Sequence, residues 1–135
     1  MPAKIVVALG TRPEITKMSP VIRELERRGA DFFVLHTGQH YSYNLDGVFF
    51  EQLKLPKPKY NVQAGSGSQA EQTAKIMVGT EKIFQQESPE TVLVQGDTNS
   101  VLAAALAATK LHIKVGHIEA GLRSYNRAMP EEVNR

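Results

Sequence analysis

The sequence predicts an α/β domain built on a parallel β-sheet flanked by helices. Three observations lead there. Short β-rich runs such as KIVVAL at residues 4–9 are continuously apolar, as strands buried on both faces are. Segments whose apolar residues recur at helical spacing lie between these runs, and the two kinds of segment alternate along the chain. The 135 residues, 41% apolar, suffice for one domain with a sizeable core, which sets aside disordered and fibrous classes.

Residues 4–9 form the first strand, and Gly10 follows it. Ile15, Met18, Val21, Ile22 and Leu25 share one face of the next helix, and Gly29 closes it as a C′ residue. Pro20 lies within that helix and implies either a kink or a restart, with Ser19 as N-cap and Pro20 at the first position. Residues 31–36 (DFFVLH) form the second strand, ending in Thr37 and Gly38. Residues 45–53 read as a short helix with Leu45, Val48, Phe49 and Leu53 turned inward; LPKP at 55–58 breaks the chain, and GSGS at 65–68 is a flexible loop. Ser68 with Glu71 is a capping-box pair that opens a helix running to about Glu87, with Ile76, Met77, Ile83 and Phe84 on its buried side. TVLV at 91–94 is the next strand. An alanine-rich helix over about 98–110 can pack closely on the sheet, and residues 114–118 make the last strand. No internal repeat, low-complexity tract or domain boundary interrupts this order.

Charge and composition narrow the function. Sixteen Lys and Arg against fourteen Asp and Glu give a net charge of +2, too slight for a nucleic-acid or membrane-surface partner but compatible with anionic small molecules. Aromatic residues are not interleaved with basic ones as on a nucleic-acid platform. The absence of cysteine excludes disulfides and thiolate metal sites and agrees with a reducing compartment. The apolar run at the start is too short to span a membrane and is unlike a secretory signal, so the expected location is the cytoplasm. There is no GxGxxG with a downstream acid and no Walker lysine motif, which disfavours dinucleotide and P-loop enzymes. His36 and His40 fall across a strand and a loop rather than on one helical face, which argues against a metal pair. His112 and His117 flank a strand and read as packed or solvent-facing.

In an open parallel sheet, ligands bind beyond the carboxyl ends of the strands. The segments there are GTRPEITK at 10–17, TGQHY at 37–41, QGDTNS at 95–100 and EAGLRS at 119–124. Glu119, Arg123, Arg127, Glu131 and Glu132 are thereby expected on the same rim as Arg12, Lys17 and Asp97. Each group has two readings. Thr11 and Glu14 form a capping box, while Arg12 at a helix start and Lys17 a turn later suit an anion. Asp97 either caps the helix that follows or acts as a base. Glu119 either pairs with Arg123 or, held at the end of an apolar strand, serves as an acid or base. Pro130, Glu131 and Glu132 have the composition of an ordinary first helical turn.

Taken together and in order, GTRPEITKMSP, TGQHY, VQGDTNS, GHIEAGLRS and MPEEVNR closely resemble the non-hydrolysing UDP-N-acetylglucosamine 2-epimerases, from residue 4 to residue 135. The resemblance implies the N-terminal Rossmann-like domain of a two-domain enzyme of glycosyltransferase-B type, with the active site in the cleft between the domains. It implies interconversion of UDP-N-acetylglucosamine and UDP-N-acetylmannosamine for cell-surface polysaccharide, by elimination of UDP with loss of the C2 proton and re-addition, without a cofactor or metal. It further implies Asp97, Glu119 and Glu131 as catalytic carboxylates, Arg12, Lys17 and Arg123 as substrate-binding cations, and a homodimer. In bacterial members the QH of TGQH belongs to a surface that binds a second UDP-N-acetylglucosamine as activator, which implies that role for Gln39 and His40; here Tyr41, Ser42 and Tyr43 stand where regulated members carry Arg, Glu or Gln. Relatives that act on UDP-diacetamido-uronic acids leave the exact sugar open. Family members are well over twice this length, so residues 1–135 are expected to be an incomplete first domain. The uridine-binding second domain would then be the partner required for turnover. The other readings are a stand-alone module that binds a sugar nucleotide or anion without turnover, and a structural domain with no ligand.

Overall fold

The computed structural model describes residues 4–39 and 47–135. Five strands form one sheet, in the order β3-β2-β1-β4-β5. They are β1 (Ile5–Leu9), β2 (Phe32–His36), β3 (Tyr60–Asn61), β4 (Thr91–Gln95) and β5 (Lys114–Ile118), and every pairing is parallel. The helices are α1 (Arg12–Arg27), α2 (Val48–Gln52), α3 (Gln69–Glu87), α4 (Asn99–Lys110) and α5 (Pro130–Asn134). Strand order reverses between β1 and β4, which opens a crevice beyond their carboxyl ends. This is the expected Rossmann-like sheet.

The continuous apolar strands divide their side chains between two cores, because successive residues point to opposite faces. Val6, Ala8, Phe33, Leu35, Val92 and Val94 pack with Phe84 of α3 and with Val101, Ala104 and Ala107 of α4. The alanines keep α4 thin enough to lie close to the sheet. Val7, Leu9 and Val34 pack on the other face with Ile15, Met18 and Ile22 of α1 and with Phe50. Each large aliphatic or aromatic side chain taken fully out of water contributes roughly 1.5–3 kcal/mol, so these clusters hold the framework on which the loops ride.

Pro20 does not restart the first helix: α1 runs unbroken through it. Proline has no N–H for the Thr16 carbonyl, and the Ser19 hydroxyl donates to that carbonyl instead, at 2.8 Å. Gly29, at φ +63, ends the helix as expected. Its N–H donates to the Glu26 carbonyl and that of Ala30 to Leu25, which satisfies carbonyls the helix leaves open. The short helix differs from expectation. It spans Val48–Gln52, Val48 is exposed, and Phe50 is the residue driven fully inward, with Phe49 and Leu53 partly buried beside it. Leu45 lies outside the described residues. Strand β3 carries no periodic signal because it is two residues long; Tyr60 secures it by packing edge-on against Phe33 at 5.6 Å.

Candidate active site

The crevice at the strand reversal contains an open cavity of about 390 Å³. The β1–α1 turn forms one wall and the β4–α4 turn the opposite one, and both are fixed by the same side chain. Glu14 is buried; its Oε2 accepts from the N–H groups of Gly10 (2.8 Å) and Thr11 (2.7 Å) and from the Thr11 hydroxyl (2.9 Å). Its Oε1 accepts from the Thr98 hydroxyl at 2.7 Å, so the capping box extends across the crevice to the other turn. Burial pushes the Glu14 pKa upward, and these four hydrogen bonds pull against it.

Asp97 does not cap α4. Thr98 does, its hydroxyl accepting from the Val101 N–H, and the Asp97 carboxylate is left to face the cavity. There Arg135 reaches it, with Nη2 2.6 Å and Nε 2.9 Å from Oδ2. The Asp97 carbonyl accepts from the Asn134 amide at 2.9 Å. Glu119 follows β5 in the left-handed region at φ +66, a conformation that costs a non-glycine residue of order 1 kcal/mol and persists only when held. Two groups hold it: Lys17 Nζ lies 3.1 Å from each of its carboxylate oxygens, and the Gln95 amide donates to Oε2. The Glu119–Arg123 pair, one of the two readings of Glu119, is not formed, and Arg123 instead donates to Glu132 at 2.8 Å.

Lys17, Asp97, Glu119, Arg123 and Glu131 all line the cavity, which brings together five of the residues expected there. Three others are placed differently. Arg12 is exposed at the first position of α1, outside this lining. Arg127 lines a separate hollow with Ala128 and Val133, because the turn before α5 carries it outward. Glu132 is buried behind the rim, where Ser124, Arg123 and Arg135 all reach it. The Ser124 N–H first, and then the two guanidinium groups and the Ser124 hydroxyl, hold its pKa down at about 2 against the effect of burial.

Gln39 lies in a neighbouring cavity of about 370 Å³, whose wall shares Thr11, Thr98 and Glu131 with the first. Its side-chain oxygen accepts from the Ser100 N–H and hydroxyl. His40 and the three residues after it lie outside the described residues. Three lining residues were not assigned a role in the sequence reading: Arg135, the partner of Asp97, together with Gln95 and His117. Gln95 is the last residue of β4, and nothing local marks an amide that ties down the carboxylate following β5. His117 is exposed, one of its two expected placements, and it also lines the cavity, with Nε2 2.7 Å from the Gly96 carbonyl. Its place near the carboxyl end of β5 was the available signal. Among the described residues, no helix is long and apolar enough to cross a membrane.

Comparison with known proteins agrees with the fold. A family model described as UDP-N-acetylglucosamine 2-epimerase matches residues 23–135. A Methanococcus maripaludis protein named UDP-N-acetylglucosamine 2-epimerase is 62% identical over 132 residues, which are 98% of this chain and 36% of that one. The crystal structure of the Methanocaldococcus jannaschii UDP-GlcNAc 2-epimerase in complex with UDP-GlcNAc and UDP superposes with a TM-score of 0.94 at 57% identity, over 98% of this chain and 36% of that one. A Pseudomonas aeruginosa protein named UDP-2,3-diacetamido-2,3-dideoxy-D-glucuronate 2-epimerase is 46% identical, over 98% of this chain and 38% of that one. The chain thus spans little more than a third of the length of these relatives.

Proposed function

We propose that this chain, which belongs to the UDP-N-acetylglucosamine 2-epimerase family, supplies the first-domain wall of an epimerase active site that interconverts UDP-N-acetylglucosamine and UDP-N-acetylmannosamine. The activity is that of the chain together with the portion its relatives carry beyond it, since the match covers 36% of their length. The higher identity to the UDP-N-acetylglucosamine enzymes, 62% against 46% for the diacetamido-glucuronate enzyme, favours the simpler sugar.

The observation that carries this reading is the alternation of carboxylates and cations around one cavity, with Lys17 on Glu119 and Arg135 on Asp97. A carboxylate beside C2 of the sugar accepts the C2 proton. The C2–H electron pair becomes the C1–C2 double bond, and the C1–O bond breaks with its electrons leaving on UDP. Cations beside the departing diphosphate stabilise the charge that develops there. Re-addition of UDP, with proton delivery to the opposite face of C2, gives the epimer. We assign the proton steps to Asp97, Glu119 and Glu131, with Asp97 as the C2 base. Lys17 and Arg123 take the anionic side, joined by Arg12 once substrate and second domain are in place. Gln39 and His40 belong to the adjoining activator surface. The same reading makes the complete enzyme a cytoplasmic homodimer serving cell-surface polysaccharide synthesis.

The test is NMR of UDP-N-acetylglucosamine in D2O with this chain alone and with the C-terminal portion of a relative added. The expected result is the manno epimer with deuterium at C2 in the mixture and no turnover by the chain alone. Absence of exchange in the mixture, with the two parts shown to associate, would overturn the reading.

A further inference from the structure

Glu132 takes no part in the steps above, yet its carboxylate is the meeting point of three other groups beside the cavity. Its side chain is 1% exposed. A carboxylate so far from water is costly to bury unless its lone pairs are satisfied, and here they are. Oε1 accepts from Arg123 Nε at 2.8 Å. Oε2 accepts from the Ser124 N–H at 2.8 Å, the Ser124 hydroxyl at 3.1 Å and Arg135 Nη1 at 3.0 Å. Arg135 then spans to Asp97 through Nη2 and Nε. The charges alternate along one line: Arg123, Glu132, Arg135, Asp97.

Arginine has many rotamers, and holding one of them costs up to about 2 kcal/mol of side-chain entropy unless a second partner fixes the fork. Glu132 is that partner for Arg135, three residues back on the same helical turn. Asn134 adds a second link from the same helix by donating to the Asp97 carbonyl and to the Asn99 side-chain oxygen. Helix α5 therefore grips Asp97 at both its backbone and its carboxylate, and Glu132 anchors the grip.

We infer that Glu132 is a positioning residue for the proposed reaction: it touches no substrate, and it sets Asp97 through Arg135 while holding Arg123 at the cavity wall. The inference rests on the epimerase reading for its consequence and on the observed contacts for its geometry. Glutamine at this position keeps size and shape but offers one oxygen in place of two. Whichever way the amide is turned, its NH2 meets a group that can only donate, so one arginine is released.

Two measurements test this. In the chain alone, 15N NMR follows exchange of the Arg123 and Arg135 Nε–H groups with solvent; Glu132→Gln is expected to speed at least one of them by about tenfold or more. Unchanged exchange of both in a folded Glu132→Gln chain overturns the inference. With the C-terminal portion of a relative added, Glu132→Gln is expected to lower kcat by about 10–100-fold at nearly constant KM, with C2 deuteration falling in step and Glu132→Asp recovering part of the loss. Unchanged kcat also overturns it. If Glu132→Gln does not fold, Arg135→Lys replaces it, since Glu132 then keeps Arg123 and Ser124. The expected signs are the same loss of kcat and a displaced 13C resonance of the Asp97 carboxylate, and an unmoved resonance overturns the inference. If the wild-type mixture shows no turnover, the epimerase reading fails, while the NMR of the chain still decides whether Glu132 holds the two arginines in place.

Discussion

Lys17 Nζ stands 3.1 Å from both carboxylate oxygens of Glu119, a residue 102 positions away in sequence. The pair closes one side of the cavity by joining α1 to the end of β5. Both side chains remain partly exposed, 52% and 33%. A pair of that kind contributes no more than about 1 kcal/mol to folding, so its main effect is expected on the reaction. Lys17→Met should leave the urea midpoint almost unchanged while lowering kcat of the reconstituted enzyme by about 10²–10³-fold, the magnitude for losing one charge-stabilising group. A large loss of stability with intact kcat would show that the pair is structural.

Asp97 and Thr98 are neighbours with separable duties, and their variants should part accordingly. Thr98 caps α4 and donates to Glu14. Thr98→Ala should therefore cost about 1–2 kcal/mol in urea unfolding. Asp97→Asn removes no cap and loses one partly exposed ion pair, so it should change stability by about 1 kcal/mol or less. Its expected effect is on C2 deuteration, which should fall by about 10²–10⁴-fold if Asp97 is the base. Deuteration that survives in Asp97→Asn would move the base to Glu119 or Glu131.

What sequence reasoning reached, and what it missed, divides along local and non-local lines. The four longer strands, the Thr11–Glu14 capping box, the Ser68 cap and the Gly29 stop are set by residues within a few positions of one another, and all are found. Five cavity-lining residues were legible because strand ends in a parallel sheet converge, whatever the details. Side-chain partners were not legible. Arg123 chooses Glu132 over Glu119, and Lys17 takes Glu119, because the backbone turns sharply at Glu119 and Gly121. The burial of Glu132 follows from the return of α5 beneath residues 123–124, which no spacing within PEEVNR encodes. β3 escaped because two residues just after the prolines of LPKP carry no period, and the inward face of α2 was misjudged because its single turn has too few apolar positions to fix its phase.

At the opposite end of the sheet from the cavity, Glu87 gathers Lys4, Lys59 and the Tyr60 hydroxyl around one carboxylate, tying the end of α3 to β1 and β3. These bonds, that from Lys59 first, lower its pKa from 4.5 to about 2. A folded-state pKa below the unfolded one means stability that is fully present above about pH 5 and is lost as pH falls towards 2. Glu132 works in the same direction, with a pKa of about 2. Glu14 works in the opposite one, because burial raises its pKa, and its contribution weakens as pH rises above 4.5. Glu87→Gln is therefore expected to flatten the fall in urea midpoint between about pH 5 and pH 3. An unchanged slope would mean that the three donors do not hold the carboxylate in solution.

Gly10 is the position where β1 meets the cavity wall with no room for a side chain. A Cβ there would lie 2.1 Å from Thr37 Oγ1 and 2.3 Å from Ser100 Oγ. Those hydroxyls bond each other at 2.7 Å, and Ser100 also donates to Gln39, so the crowding atoms are themselves fixed. Gly10→Ala must push β1 and α4 apart or break the hydroxyl pair, at a cost of about 2–4 kcal/mol in urea unfolding. Because Gly10 also donates its N–H to Glu14, the shift should reach Thr98 as well. In a Thr37→Ala, Ser100→Ala background the obstructing oxygens are gone, and adding Gly10→Ala there should cost distinctly less than in the wild type. Equal costs in both backgrounds would locate the constraint in the backbone of the turn rather than in the two hydroxyls.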